Sequence, residues 1–288
     1  MEEKRVLVAG GTGYLGQFLV KESKRQGYWV RALTRNPEKL AHLDEYIDDL
    51  FVGEVTDPDS IVRICEDIDF VISAVGITRQ KDGLTYMDVD YQGNRNLMDC
   101  AISSGVSKFV YVSVLNAHLM SDLKIIQAKE KFARELEESN LDHTIVRPTG
   151  FFSDMLEFLH MARKGKVSLF GTGDYKINPI HGQDLAEVCV AALGNTEKEI
   201  EVGGPETYTH KQIAELAFEV LHKKERISYM PLWLMQVIVR LMRLFTSSKT
   251  YGPIEFLMTA LTMDGVAPAY GKEKLRDFYK ANAEKGSV

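Results

Sequence analysis

The sequence predicts a doubly wound α/β fold: a parallel sheet covered by helices on both faces, followed by a small, mostly helical C-terminal cap. Short runs rich in Val, Ile and Leu alternate with amphipathic helical patterns from residue 4 onward, an alternation typical of crossover-connected parallel strands. Several runs are apolar on both faces, as expected for strands buried on two sides. The first run leads into a glycine-rich turn that opens a helix.

The elements of the first half follow one another in a regular order. Strands are expected at 5–9, 29–33, 50–52, 70–75, 109–114 and 144–146, with helices near 14–26, 37–44, 58–66, 88–104 and 123–139. Gly27 and Gly105 follow two of these helices, at the position where glycine commonly ends a helix. Beyond Gly150 the order loosens, with helices near 152–164, 183–193 and 209–222 and short strands at 167–170, 177–180 and 200–202.

Composition excludes several classes of protein. The 288 residues are 45% apolar and 26% charged, with 35 basic and 41 acidic side chains and a net charge of −6, unlike collagens, disulfide-stapled miniproteins or disordered tails. The mild acidity disfavours nucleic-acid binding, which usually requires a basic face. Three widely spaced cysteines without a CxxC pair indicate free thiols. The first residues lack a basic segment followed by an apolar one, so we expect a cytoplasmic protein.

The glycine-rich turn is the strongest local indication of function. It fits GxGxxG through Gly11, Gly13 and Gly16, and GxxGxxG through Gly10, Gly13 and Gly16. Such glycines permit a tight turn and let a pyrophosphate approach the backbone, while the amides at the helix start hold the anion. We therefore expect a bound dinucleotide to contact the following loop residues: Gly10, Thr12, Gly13, Tyr14, Leu15 and Gly16.

The end of the second strand predicts the type of dinucleotide. NAD sites usually place an acidic residue there, about 20 residues past the glycines, but this chain has Arg35 and no acid before Glu38. A charge-assisted contact between Arg35 and a 2′-phosphate contributes about 1.5–3 kcal/mol, or about ten- to a hundredfold in affinity. NADP is therefore expected in preference to NAD; the alternative is that Arg35 is a solvated surface residue.

The loops after the third and fourth strands extend the predicted site, because ligands of such sheets bind beyond the carboxyl ends of the strands. Glu54 and Val55 are expected to flank the adenine. Ala74, Val75 and Gly76 are small enough for the cofactor to lie on the backbone. The seven histidines show no HxxxH or HExxH spacing, so no metal site is expected.

Five segments together resemble the atypical, NmrA-like branch of the short-chain dehydrogenase/reductase superfamily. They are GGTGYLG at 10–16, VDYQGNRNLMDCAISSGVSKFVYVS at 89–113, VRPTGFF at 146–152, INPIHGQDLAEV at 177–188 and EVGGPETYTHKQIAEL at 201–216. The resemblance implies that residues 1–150 form a Rossmann-type core that binds NAD(P). Residues 151–288 would complete the sheet and add a substrate- or partner-binding cap. It also implies that Pro148 and Thr149 pass beside the nicotinamide, with Phe151 nearby.

The same resemblance reveals an incomplete catalytic set. Ordinary members reduce carbonyls with a Ser, a Tyr and a Lys, and the last two are spaced YxxxK. Ser113 matches the Ser and Lys129 matches the Lys, but Ile125 stands where the Tyr is expected. An isoleucine has no proton to give to a reacting oxygen.

Three alternatives arise from that gap. Lys129 acts as acid or base with a pKa lowered by burial; Tyr86, Tyr91 or His118 supplies the proton; or the chain binds NADP without turnover, as redox sensors and assembly factors do. For Lys129 we favour hydrogen bonds to the nicotinamide ribose, which need no pKa shift. Ser113 is equally consistent with a cap at the turn from strand to helix.

An apolar stretch near the C-terminus suggests a contact surface. Residues 232–245 are apolar except for Gln236, Arg240 and Arg243, which share one helical face. As a helix the stretch spans about 21 Å, less than the roughly 30 Å of a bilayer core, so no transmembrane segment is expected. We expect region 231–263 to pack on the cap or on a protein partner; a membrane-surface helix is the alternative.

These observations predict an NADP-binding atypical short-chain dehydrogenase/reductase. The expected activity is NADPH-dependent reduction of a small carbonyl or quinone-like substrate without the usual catalytic Tyr. The alternative is a non-catalytic NADP(H)-binding redox sensor or assembly factor that acts through protein partners.

Overall fold

The structure, a computed structural model, describes residues 3–77 and 83–285, apart from the side chains of residues 248, 249 and 285. Met1 and Glu2, which belong to the N-terminal segment considered above, lie outside the described residues. The strands are β1 (Arg5–Ala9), β2 (Trp29–Thr34), β3 (Asp49–Val52), β4 (Phe70–Ser73), β5 (Lys108–Val112), β6 (His143–Pro148), β7 (Val167–Phe170), β8 (Lys176–Ile177), β9 (Glu199–Val202), β10 (Tyr208–Thr209) and β11 (Ile227–Met230).

The helices follow the strands in alternation through the first half of the chain. The α-helices are α1 (Tyr14–Arg25), α2 (Asn94–Ser103), α3 (Lys124–Glu138), α4 (Phe152–Arg163), α5 (Gly182–Ala191), α6 (His210–Val220), α7 (Leu232–Phe245), α8 (Ser248–Ala260) and α9 (Leu275–Lys285). A π-helical turn, Met87–Gly93, leads directly into α2. No helix of the described residues combines the length and apolar character needed to cross a membrane.

A seven-stranded sheet organises the fold, with the strand order β3-β2-β1-β4-β5-β6-β9. Neighbouring strands pair in parallel; Val6 of β1, for example, lies opposite Val30 of β2 and Phe70 of β4. All residues of β5 are buried, because helices cover both faces of such a sheet. The predicted doubly wound α/β class is confirmed, and the strand order reverses direction between β1 and β4.

Two segments predicted as ordinary helices are 3₁₀ helices instead, of ten residues at Pro37–Tyr46 and four residues at Pro58–Ile61. The second ends well before residue 66. The Ser60 hydroxyl donates to the carbonyls of Glu54 and Asp57, and such local bonds compete with the helical pattern.

The chain divides into two compact units. The first comprises Met1–Arg147 and Leu185–Ile200, and the second comprises Pro148–Asp184 and Glu201–Val288. Residues 185–200 belong to the first unit, in which they contact residues of α1 and β5. Glu187 pairs with Arg25 at 3.8 Å, and the buried Lys108 ammonium donates to the Asn195 carbonyl at 2.5 Å.

The second unit has its own core, built mainly from α4, α6 and α9. Its larger members are Phe152, Met155, Phe158, Leu159, Val167, Ile213, Leu216, Phe218, Leu275 and Tyr279. The strands of the second half, which were expected to complete the main sheet, lie in three different sheets. Only β9 joins that sheet, whereas β7 pairs with β11 and β8 pairs with β10 in separate two-stranded sheets. Each of these pairs involves a strand, β10 or β11, that was absent from the sequence prediction.

Candidate functional site

The glycine loop between β1 and α1 packs closely against neighbouring backbone at two points. Gly10 has a φ of +89°, and a Cβ added there would lie 2.8 Å from the Ala74 carbonyl oxygen. A Cβ on Gly16 would overlap the Gly10 carbonyl. By contrast, a Cβ on Gly11 would make an ordinary contact of 3.6 Å with Leu40. The geometry therefore requires glycine at positions 10 and 16, the first and last glycines of the GxxGxxG pattern.

The start of α1 points its amides at this loop. Gly13 occupies the cap position, and its amide donates to the Gly10 carbonyl at 3.0 Å. A glycine cap has no side chain to satisfy the next amides of the helix, which makes such an end suited to an anion. Thr12 is exposed beside it, whereas Leu15 is buried under the loop.

The loop after β4 lies against the glycine loop. The Ala74 amide donates to the Ala9 carbonyl at 3.0 Å, and the Gly10 backbone approaches Ala74 closely. Because β1 and β4 flank the reversal of strand order, their carboxyl ends border the crevice in which doubly wound folds bind ligands. The structure thus brings together the predicted residues Gly10, Ala74 and Val75.

The ends of β2 and β3 bring Arg35 next to Glu54. The Arg35 Nη1 atom lies 3.3 Å from Glu54 Oε2, and the Arg35 side chain is 54% exposed. The loops are joined by the Gly53 amide, which donates to the Thr34 carbonyl at 3.1 Å. Arg35 therefore combines an exposed guanidinium with a position at the carboxyl end of β2, as the sequence predicted.

Lys129 on α3 reaches the same loop after β4. Its Nζ atom lies 3.1 Å from Asp90 Oδ1, and the Lys129 side chain is 15% exposed while that of Asp90 is fully buried. A Cβ on Gly76 would lie 2.9 Å from Lys129 Nζ and 2.7 Å from Asp90 Oδ1. The structure joins two predicted site residues, Gly76 and Lys129, through Asp90, which was not predicted.

The pKa of Lys129 is raised, whereas one alternative from the sequence requires a lowered pKa. Burial disfavours the ammonium, but Tyr111 and the Asp90 carboxylate outweigh burial and raise the pKa above its ordinary value. The alternative in which burial lowers the pKa of Lys129 is therefore wrong. The reason is a carboxylate contributed by a distant segment, which stabilises the charged form.

Asp90 lies on a buried stripe that runs along the π turn and α2. Asp90, Asn94, Leu97 and Ala101 follow one another at spacings of four, three and four, and all are fully buried. Such a stripe is normally apolar throughout. The two polar residues on a core-facing stripe were thus a sequence signal for a buried polar site.

Ser113 belongs to a neighbouring cluster of charges. Its hydroxyl donates to Glu130 Oε1 at 2.9 Å and accepts from Arg147 at 3.4 Å. Arg147 forms two hydrogen bonds with Glu130, at 2.7 and 3.0 Å, and a third with Glu199 at 2.7 Å. Glu130 and Arg147 thus engage the hydroxyl of Ser113, whose catalytic role stays a prediction.

The three alternative proton donors, Tyr86, Tyr91 and His118, differ in burial and in hydrogen bonding. Ile125, at the position of the family Tyr, is buried. The Tyr91 hydroxyl donates to Glu135 Oε1 at 2.7 Å. Tyr86 is buried and His118 is exposed.

The remaining predicted residues lie where β6 continues into α4 of the second unit. The Thr149 hydroxyl donates to the Asn178 carbonyl at 2.6 Å. The Phe151 amide donates to Asp154 Oδ2 at 3.0 Å and so caps α4. Pro148 is buried. That these residues border a nicotinamide, and that Glu54 and Val55 flank an adenine, stay predictions.

The residues of the first unit fit a dinucleotide. Gly10 and Gly16 permit the tight packing of the loop after β1, and the start of α1 supplies amides suited to the pyrophosphate. Lys129 would offer an ammonium to ribose hydroxyls, and Arg35 an exposed guanidinium to a phosphate.

Comparison with known proteins gives consistent results. A family model described as NAD(P)H-binding matches residues 10–196. The photosystem II assembly factor Ycf39 of Synechocystis sp. is 31% identical, over 84% of this chain and 74% of its own length. The chloroplastic divinyl chlorophyllide a 8-vinyl-reductase of Cucumis sativus is 27% identical, over 99% of this chain and 77% of its own length.

A solved structure supports the fold independently. An NADPH-dependent quinone oxidoreductase from Escherichia coli superposes with a TM-score of 0.76 at 18% identity, over 96% of this chain and 99% of the other. The glycine loop, the strand order and these likenesses agree. The chain belongs to the NAD(P)H-binding family and is an atypical short-chain dehydrogenase/reductase with a Rossmann-type fold.

Proposed function

We propose that this protein binds NADPH in preference to NADH and uses it to reduce a small carbonyl or quinone-like substrate. The observation that carries the cofactor preference is the exposed Arg35 guanidinium at the carboxyl end of β2. In this position NAD-binding folds hold the adenosine ribose, with an acid for the diol or an Arg for the 2′-phosphate. When bound, NADPH supplies a hydride.

The residues around Lys129 favour one kind of substrate. Ile125 gives no proton to a reacting oxygen, and Lys129 keeps its proton through Asp90. Reduction of a simple ketone leaves a strongly basic alkoxide that needs a proton donor in the site. Reduction of a quinone leaves a much weaker base, which can take its proton from water. The substrate class that fits best is therefore a quinone-like acceptor.

Replacement of Arg35 tests the cofactor preference. Arg35→Ala is expected to weaken NADPH binding by about ten- to a hundredfold, because it removes one charge-assisted contact, and to leave NADH binding nearly unchanged. Titration of both cofactors by fluorescence measures the two dissociation constants. Arg63→Ala is the matched control, since Arg63 is also an exposed Arg paired with a Glu. Equal binding of NADPH and NADH by the unaltered protein would contradict the proposal.

A second candidate function is that of an assembly factor without turnover. The observation that favours it is an exposed apolar stripe on α7 at helical spacing, formed by Trp233, Val237, Leu241 and Leu244, which are 64%, 40%, 49% and 77% exposed. Large exposed apolar patches mark sites of interaction with other molecules. The assembly-factor name of the Synechocystis relative supports a protein partner for region 231–263.

Turnover assays separate the two functions. With a panel of quinones and carbonyls, we expect NADPH oxidation that depends on the acceptor and is fastest with quinones. Lys129→Met is expected to lower that rate more than tenfold, because it removes about one charged hydrogen bond to the cofactor. Lys124→Met, an exposed lysine on the same helix, is the control. Tight NADPH binding with no acceptor-dependent oxidation would favour the assembly factor instead.

A further inference from the structure

We infer that Asp90 is a positioning residue that holds Lys129 as a permanent ammonium against Gly76, so that Lys129 is a fixed cation for the cofactor and not a proton donor. The inference rests on the proposed function for the identity of the ligand. It concerns a residue pair whose charge state is measurable without that ligand.

Asp90 and Lys129 form a close pair. Asp90 is fully buried, and its two carboxylate oxygens have different neighbours. Oδ2 accepts from the Ile77 amide at 3.2 Å, while Oδ1 lies 3.1 Å from Lys129 Nζ. A buried carboxylate held by a backbone amide and a cation is stable only while the cation remains, because an unpaired buried charge is strongly unfavourable.

Hydrogen bonds fix the segment that carries Asp90. The π turn Met87–Gly93 is fixed by the fully buried Asn94, whose amide group donates to the Asp90 carbonyl at 2.8 Å and to the Val75 carbonyl at 3.3 Å. Single π turns inside helices occur frequently at functional sites. The turn is thus tied directly to the loop that presents Gly76, and the position of Asp90 relative to this loop is set by hydrogen bonds at both ends.

Several groups surround the Lys129 ammonium. Besides Asp90, the neighbouring elements contribute the buried Tyr111 ring of β5, whose centroid lies 5.8 Å from Nζ, and the Glu130 carboxylate of α3 itself. The aromatic face and the carboxylates all favour the protonated amine. The Lys129 side chain is 15% exposed, and its Nζ atom lies next to Gly76.

This arrangement has a chemical consequence. A proton donor must lose its proton during each cycle and regain it at the working pH, whereas the Asp90 pair opposes that loss. A fixed ammonium instead donates hydrogen bonds to ribose hydroxyls in every state of the cofactor. Binding is therefore expected to be insensitive to the titration of Lys129 through the neutral and weakly alkaline range.

Lysine reactivity tests the inference without any cofactor. Amine-reactive reagents attack only the neutral amine, so the labelling of Lys129, followed by mass spectrometry, reports its charge. Asp90→Asn keeps the shape of the side chain but removes its charge. We expect it to accelerate labelling of Lys129 by at least about tenfold, because a fall of one unit in the pKa raises the neutral fraction about tenfold. Labelling of the exposed Lys124 is expected to stay unchanged. Equal rates for Lys129 in the two proteins would overturn the inference.

Cofactor binding provides the second measurement. Between about pH 7 and about pH 9.5, within which a lysine of lowered pKa titrates, NADPH affinity of the unaltered protein is expected to stay level. That of Asp90→Asn should fall progressively, and that of Lys129→Met should be weak and level. Asp88→Asn, on the same π turn, is the matched control and should retain the unaltered profile. A level profile for Asp90→Asn would contradict the inference.

The two measurements distinguish failure of the inference from failure of the proposed function. Absence of NADPH binding at every pH would contradict the proposed function alone, because the labelling comparison still reports the charge of Lys129. Thermal unfolding of Asp90→Asn identifies any loss of folded protein. If that variant fails to fold, the pH dependence of Lys129 labelling in the unaltered protein decides. A rate that keeps rising about tenfold per pH unit up to about pH 9.5 supports the inference, and a rate that levels off below that pH overturns it.

Discussion

Gly16→Ala is expected to abolish NAD(P)H binding, with a loss in affinity of more than about a hundredfold, because it disturbs the backbone that approaches the pyrophosphate. A Cβ at this position would overlap the Gly10 carbonyl oxygen and lie 2.7 Å from the Gly11 Cα atom. Both neighbours are backbone atoms, so the conflict is relieved only by moving the turn. Cofactor titration by fluorescence and by calorimetry measures the effect.

The matched control for this variant lies within the same loop. Gly11→Ala places its Cβ 3.6 Å from a Leu40 methyl group, an ordinary contact. It should therefore retain binding within a few fold. Circular dichroism of both variants verifies that the chain is folded. If a folded Gly16→Ala protein binds NADPH as tightly as Gly11→Ala, the assignment of this loop to the pyrophosphate is wrong.

Tyr279→Ala is expected to lower the free energy of unfolding of the second unit by about 3–5 kcal/mol, the usual cost of removing a buried aromatic ring. Tyr279 is fully buried in the core of this unit, and its hydroxyl donates to the Met155 carbonyl at 2.5 Å. The residue thus joins α9 to α4. Equilibrium unfolding in urea measures the loss, and hydrogen exchange of the α4 amides locates it in the second unit.

Tyr279→Phe separates the ring from the hydroxyl. It keeps the packing and removes one buried hydrogen bond, so the expected loss is only about 1 kcal/mol. A loss below about 1 kcal/mol for Tyr279→Ala would mean that α9 contributes little to the second unit. NADPH binding by the first unit provides an independent measure of whether the remainder of the protein is intact.

Local patterns predicted most elements of the first half, because the strands and the longer helices there carry their own periodic signals. The run at 5–9, for example, is β1 without change of bounds. The second half was harder to predict. The two-residue strands β8 and β10 are too short for alternation to be detected, and they exist only because Tyr208 lies opposite Ile177.

The candidate site divides in the same way. The sequence by itself determined the glycine loop, the basic residue at the end of β2 and the absence of the family Tyr, because each is a matter of residue type at a fixed spacing. Only the tertiary structure decided that Asp90 meets Lys129 and that Ser113 meets Glu130 and Arg147. The charge state of a buried group depends on neighbours brought from distant segments. No local pattern around Lys129 contains the carboxylate that keeps it charged.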